Sequence, residues 1–178
     1  MPKRVISGGR DFIAYLETPL GPLKVRADSC GITGVDFVGR GEPNPGRPAD
    51  PREAMPKVLR TALVELDEYF RGMRRSFSLP LVLEGTPFQR KVWAALLRIP
   101  YGRTLSYREV AAAVGNARAT RAVGGANHRN PISILVPCHR VVGSDGRLTG
   151  YGGGLWRKEW LLAHEKGHAA AGAPDLPE

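Results

Sequence analysis

The sequence predicts an α/β chain of the α+β kind, in which a small antiparallel sheet with a covering helix precedes a mostly helical C-terminal part. Three observations carry this. Residues from Phe12 to Val38 alternate apolar and polar in short runs separated by turn residues, the period of half-buried strands. From Pro56 to Arg71 the apolar residues recur at helical spacing. Beyond Gly85 the pattern becomes a series of short helix signals closed by Gly or Pro. The 178 residues, 42% of them hydrophobic, suffice for a real core in one large domain or two small ones.

In chain order, Phe12 to Glu17 and Leu23 to Ala27 are joined by TPLGP, Thr18 to Pro22, which predicts a hairpin. Asp28 to Gly31 makes a second turn and Ile32 to Val38 a third strand. Gly39 to Pro51, rich in Pro and Gly, is expected to be a surface loop. The helix that follows presents Leu59, Ala62, Leu63, Leu66, Tyr69 and Phe70 to the sheet, and Ser76 to Leu83 is expected to return as a further strand. A boundary is expected at Glu84–Gly85, separating a scaffold domain, 1–84, from a second domain, 85–166.

In the second half, TPFQ can form a capping box between Thr86 and Gln89 with Pro87 at the first helical position. Phe88, Val92, Ala95, Leu96 and Ile99 then share a face, and Trp93 is assigned to the core. Ser106 and Glu109 repeat the device for a helix Tyr107 to Val114, closed by Gly115. Asn116 is expected to cap a helix from Ala117 to about His128, so that two short helices flank a Gly-containing turn in a helix-turn-helix pattern. Arg118, Arg121 and Arg129 accompany the second helix. Glycine inside a helix costs about 1 kcal/mol relative to alanine, so Gly124 and Gly125 imply tight packing or close contact with a partner. After Asn130–Pro131, SDGR at Ser144 to Arg147 reads as a tight turn. Gly152 to Gly154 form either a ligand-wrapping stretch or a plain loop. A last helix, about Trp156 to Glu165, is expected to bury Trp156, Trp160 and Leu161, and 167–178 is expected to be a disordered tail.

Cys138 lies in ILVPCHRVV, an apolar run that reads as a buried strand or a stretch of core, with Pro137 ending any ladder. His139 and Arg140 are cationic or proton-accepting neighbours of the kind that lower a thiol pKa. A small buried core residue is the alternative. Two cysteines cannot build a disulfide framework and no signal-peptide pattern opens the chain, so a cytoplasmic, intracellular setting is expected. No apolar run is long enough to span a membrane. Cys30 has no partner cysteine or histidine at ligand spacing, so no metal site is expected. The net charge is +9, and its distribution is uneven: Thr86 to Lys166 holds 13 Lys/Arg against 4 Asp/Glu, the remainder 13 against 13. A basic half beside a neutral one points to a polyanion, usually nucleic acid, with a merely soluble basic surface as the alternative.

The segments GTPFQRKVW, IPYGRTLSY, ARATRAVGGANHRNP, ILVPCHRVV, GRLTGYGGG and KEWLLAHE, in this order, resemble the C-terminal domain of the O6-alkylguanine-DNA alkyltransferases over about Gly85 to Glu165. The N-terminal unit resembles that family's small α/β domain. The resemblance implies direct-reversal DNA repair: irreversible, stoichiometric transfer of the alkyl group from O6-alkylguanine, and by extension O4-alkylthymine, to Cys138, without a cofactor. It implies His139 as a general base acting through a water, Glu165 as the carboxylate that fixes its tautomer, and Asn130 as a brace behind the thiol. It also implies that the helix from Ala117 lies in the minor groove. There Arg121 would fill the space left by the extruded base, Tyr107 would help rotate the 3′ phosphate and Ala126 would pack against the groove, with Arg118 and Arg129 as further DNA-binding candidates. In the pocket it implies Tyr151 donating to guanine N3, the Gly152 N–H donating to O6, and the carbonyls of Cys138 and Val141 accepting from the exocyclic amine. Some relatives have serine at the position of Gly152, which leaves pocket breadth open, and Lys158 matches with a structural role. The implied partner is double-stranded DNA carrying O6-alkylguanine, bound by a monomer with cooperative loading left open. Two other classes compete. A Cys-His-Glu hydrolase would use the same residue types but needs an oxyanion hole and turns over. The other is a non-enzymatic alkyltransferase-like DNA-binding protein or a helix-turn-helix regulator; alkyltransferase-like relatives lack the acceptor cysteine that this chain keeps.

Overall fold

The N-terminal alternation becomes three antiparallel strands, β1 (Phe12–Leu16), β2 (Leu23–Ala27) and β3 (Ile32–Phe37), in the order β1-β2-β3. A computed structural model describes residues 12–39 and 55–170. Leu23, Val25 and Ala27 point to one face of β2 and are fully buried, as the two-residue period requires. The hairpin turn closes through Thr18, whose hydroxyl donates to the Gly21 carbonyl (2.6 Å), with Gly21 at φ 95°. Helix α1 (Lys57–Phe70) covers this sheet with Leu59, Ala62, Leu66 and Tyr69, at the predicted spacing. Of the expected loop Gly39 to Pro51, only Gly39 lies within the described residues.

The outer edge of β3 is shared by two segments. At one end the Ile32 N–H donates to the Pro80 carbonyl (2.8 Å) and Val82 N–H to the Ile32 carbonyl (2.8 Å). At the other, Val35 N–H donates to Pro131 O (2.9 Å) and Ser133 N–H to Val35 O (2.9 Å). Ser76 to Leu83 is therefore extended but not the expected strand, making a single bridge at Leu81. Pro80 has no N–H to continue a ladder, and the rest of the edge is already taken by the chain leading to Cys138. One apolar core runs through both halves, from Ala14 to Leu161.

In the C-terminal half, α2 (Pro87–Leu96) and α3 (Tyr107–Ala113) each open with a complete capping box, Thr86 with Gln89 and Ser106 with Glu109. Helix α4 (Thr120–His128) begins later than expected. Asn116 does not cap it: its Oδ1 accepts from Arg118 N–H (3.1 Å) and its carbonyl from Ala119 N–H (2.9 Å), closing a separate turn. Arg118 accordingly sits in the turn of the helix-turn-helix pair and Arg129 just past its end. ILVPCHRVV is a stretch of core up to Arg140 and becomes strand only in its last two residues. Ile134 takes a left-handed φ of 72°, Cys138–Arg140 forms one 3-10 turn, and β5 (Val141–Val142) pairs in parallel with β4 (Leu105–Ser106).

The last helix, α5 (Leu155–Ala170), is longer than expected. Its buried face is Lys158, Leu161 and Glu165, three and four residues apart, so Glu165 lies within the helix instead of ending it. Trp156 falls off that face and is 55% exposed, against expectation. Residues 167–170, expected in a disordered tail, are helical, and 171–178 lie outside the described residues. Among the described residues no helix is long and apolar enough to cross a membrane.

Candidate active site

The end of β3, the end of α4, the 3-10 turn and the Tyr151–Gly154 loop converge on a cavity of about 250 Å³. Cys138, Asn127, Asn130, Ser133, Tyr151 and Gly152 line it from the C-terminal half, and Asp36 to Gly39 from the N-terminal half. The first half, expected to be a scaffold only, thus forms one wall. Arg157 holds the two walls together: its Nε donates to Leu20 O (3.0 Å), its Nη1 to Gly153 O (2.7 Å), and its guanidinium lies 4.6 Å from the Phe37 ring.

Cys138 is 3% exposed. Burial pushes its thiol pKa up, against the opposing pull of the Asn130 amide, the Lys158 charge and backbone N–H groups. The expected low-pKa thiolate is therefore corrected to a thiol at rest. The two neighbours in sequence are engaged elsewhere: Arg140 forks onto Glu165 (Nε–Oε2 2.9 Å, Nη2–Oε1 3.0 Å) and His139 is buried against the same carboxylate.

Glu165 is the hub of the site. Its Oε1 accepts from His139 Nε2 (2.7 Å), Tyr69 Oη (2.8 Å) and Arg140; its Oε2 accepts from Arg140 and the Gly102 N–H (3.0 Å). Burial works to raise its pKa, but the hydrogen bonds and charges of His139 and Arg140 outweigh this and hold the carboxyl well below the usual range. An ionised carboxylate only accepts, so His139 must carry its proton on Nε2, leaving the Nδ1 lone pair available. Burial also keeps the imidazole pKa below its ordinary value, so His139 is neutral and able to accept a proton. Asn130 braces the turn before the cysteine, donating to Val136 O (2.8 Å) and accepting from Ile132 N–H (3.1 Å).

The remaining pocket candidates are placed unevenly. Tyr151 is 9% exposed, with its hydroxyl buried and only a weak polar contact with Ser133; burial pushes the phenol pKa well up, so it is a donor. Gly152 is exposed on the cavity rim, and a Cβ there would meet only the His128 carbonyl at 3.8 Å, so a small side chain would fit. Val141 is fully buried and not among the cavity-lining residues; its carbonyl accepts from Lys158 Nζ (2.6 Å), which also reaches Thr149 O (2.8 Å). Burial lowers the Lys158 pKa to about 8.

Arg118, Arg121 and Arg129 are exposed around α4. Tyr107 turns its hydroxyl towards Thr149 O (3.2 Å) and packs 5.8 Å from Lys158 Nζ. Ala126, expected against a groove, faces the core instead: it is 3% exposed and its carbonyl accepts from Trp93 Nε1 (2.9 Å). A Cβ on Gly124 would find its nearest atom, on Tyr107, at 3.9 Å, so packing inside the chain does not require that glycine. Among the described residues no group of three or more His, Cys, Asp or Glu is placed to hold a metal. Tyr69, Gly102, Asn127, Arg140 and Arg157 were missed as site residues; each reaches the site through contacts distant in sequence, and only Arg140, beside Cys138, carried a local signal.

The chain matches two family models: the DNA-binding domain of 6-O-methylguanine DNA methyltransferase over residues 87–167, and its ribonuclease-like domain over residues 12–83. A methylated-DNA–protein-cysteine methyltransferase of Methanosarcina barkeri is 48% identical over 87% of this chain and 97% of its own. The constitutive enzyme of that name from Bacillus subtilis is 49% identical over 88% of this chain and 96% of its own. Among solved structures, Mycobacterium tuberculosis OGT in complex with DNA superimposes with a TM-score of 0.75 at 43% identity, covering 86% of this chain and 93% of that one. With both halves matched and these identities sustained over most of its length, the chain belongs to the 6-O-methylguanine DNA methyltransferase family.

Proposed function

We propose that the protein repairs alkylated duplex DNA by moving the alkyl group from O6 of guanine onto Cys138, once per molecule. The observation that carries this is a buried cysteine lining a base-sized cavity and followed in the chain by a His139–Glu165 pair closed at 2.7 Å. The Cys138 proton passes, by way of a water, to Nδ1 of His139, and the imidazolium is balanced by Glu165. Sulfur attacks the alkyl carbon; the S–C bond forms as the C–O6 bond breaks, and its electron pair passes to guanine. Tyr151 donates to guanine N3 and the Gly152 N–H to O6, stabilising that charge, while the Cys138 carbonyl accepts from the exocyclic amine. The proton held by His139 returns to neutralise the dealkylated guanine, which stays in its DNA strand. A thioether has no good leaving group, so the acceptor is not regenerated.

The cysteine lies too deep for a stacked base, so the lesion must be extruded at a cost of a few kcal/mol. Arg121 enters the space left behind, Tyr107 steers the adjacent phosphate, and Arg118 and Arg129 add attraction for the backbone. Residues 85–166 carry the chemistry and the DNA surface; residues 1–84 supply the opposite wall of the pocket. The protein acts as a monomer, and O4-alkylthymine is a second substrate. Intact-mass spectrometry after incubation with an O6-methylguanine duplex tests the reading. One added methyl on Cys138, absent in Cys138→Ser, is the expected result. Product beyond one equivalent, or transfer by the serine variant, would overturn it.

A further inference from the structure

Five buried side-chain polar atoms among the described residues lack a hydrogen-bond partner, and three of them surround Cys138: Asn127 Oδ1, His139 Nδ1 and Tyr151 Oη. Such atoms are costly unless a ligand satisfies them. The mechanism uses the last two and leaves Asn127 unexplained. Asn127 is 3% exposed and lines the cavity. Its Nδ2 donates to the Cys138 carbonyl (3.2 Å), which fixes the amide so that Oδ1 is the free acceptor. Val141, the second carbonyl expected to read the base, is outside the cavity lining and already receives Lys158 at 2.6 Å.

We infer that Asn127 is a specificity-determining residue whose Oδ1 accepts a hydrogen bond from the exocyclic amine of the alkylated purine, beside the Cys138 carbonyl that accepts from the same group. The inference rests on the alkyl-transfer reading. It assigns the amine a side-chain acceptor in addition to a backbone one, and it predicts that a lesion lacking that amine leaves Oδ1 buried and unpaired. A site built to hydrogen-bond a substrate group disfavours the analogue without it, so O4-alkylthymine, which has no exocyclic amine, is the poorer of the two substrates.

The experiment compares single-turnover transfer from duplexes carrying O6-methylguanine and O6-methylhypoxanthine, which differ only in the 2-amino group, for the wild type, Asn127→Leu and Asn127→Ala. The wild type is expected to favour the guanine lesion, and both variants to lose about fivefold or more of that preference, the share of one hydrogen bond to a buried acceptor. General damage to the pocket would slow both substrates alike and leave their ratio unchanged; that result, or a wild type indifferent to the amine, overturns the inference. Asn127→Ala carries the same ratio if the leucine variant does not fold. A wild type that transfers from neither duplex refutes the transfer reading itself, and the inference with it.

Discussion

Removing the Tyr69 hydroxyl probes how the N-terminal half tunes the chemistry. In Tyr69→Phe, Glu165 Oε1 loses a 2.8 Å donor but keeps His139 and Arg140, so no buried charge is stranded. A hydrogen bond to a charged group contributes about 1.5–3 kcal/mol, and the remaining donors place the loss at the lower end of that range. For a chain of this size each kcal/mol shifts Tm by about 2–4 °C, so a fall of roughly 3–8 °C is expected. The carboxylate then has one fewer competing donor and holds the His139 proton more strongly, raising the imidazole pKa. In the proposed mechanism neutral His139 is the base, so transfer at low pH should slow, and the acid limb of the pH–rate profile should move to higher pH by a few tenths of a unit. Single-turnover release of labelled methyl from an O6-methylguanine duplex, measured across pH 5 to 8 beside a thermal melt, reads both effects. A lowered Tm with an acid limb that stays in place, or moves down, would refute the coupling and leave Tyr69 as packing alone.

Glu165→Gln should be far more damaging, because it strands the buried Arg140 guanidinium and presents an amide N–H to existing donors; about 3–5 kcal/mol of stability should be lost, read by urea unfolding. Arg121→Ala should retain most duplex binding, since Arg118 and Arg129 remain exposed beside it, yet slow transfer from paired DNA more than from a single-stranded lesion; equal slowing would refute its role in extrusion. Stability should fall on acidification in two stages. His139 has a folded pKa below its ordinary 6.5, so the unfolded chain takes up that proton first and stability declines as pH drops below this value. Glu165 has a folded pKa below its ordinary 4.5, so its contribution is complete above that pH and lost below it, with the same sign. A urea midpoint that is flat from pH 7 to 5 would contradict the first stage, and one that stays flat below pH 4.5 the second.

Features with a local cause were readable from the sequence. The capping boxes at Thr86 and Ser106 need only residues three apart, and strand alternation needs only neighbours. Asn116 was misread because an Asn that caps a helix and one that closes a turn use the same side-chain oxygen on nearby N–H groups. The strand at Ser76 to Leu83 failed on competition for the β3 edge with Pro131–Ser133, fifty residues later in the chain. The thiol misled for a related reason. His139 and Arg140 adjoin Cys138 in sequence, but a tight turn sends both side chains to Glu165 on α5, so proximity in sequence was no guide to the field at sulfur. Tyr69 on α1 and the wall from Asp36 to Gly39 reach the site only because one core joins the two halves.

The raised thiol pKa also bears on shelf life. A protein spent by a single reaction has no second chance, so every acceptor oxidised while waiting is a repair forgone. Peroxides attack thiolates, and susceptibility rises with exposure. Cys138 is protonated and 3% exposed, whereas Cys30 stands exposed on a turn, so an oxidant in solution meets the Cys30 sulfur first. Burial that slows the unprompted reaction keeps the reagent intact until a lesion calls the sulfur into use.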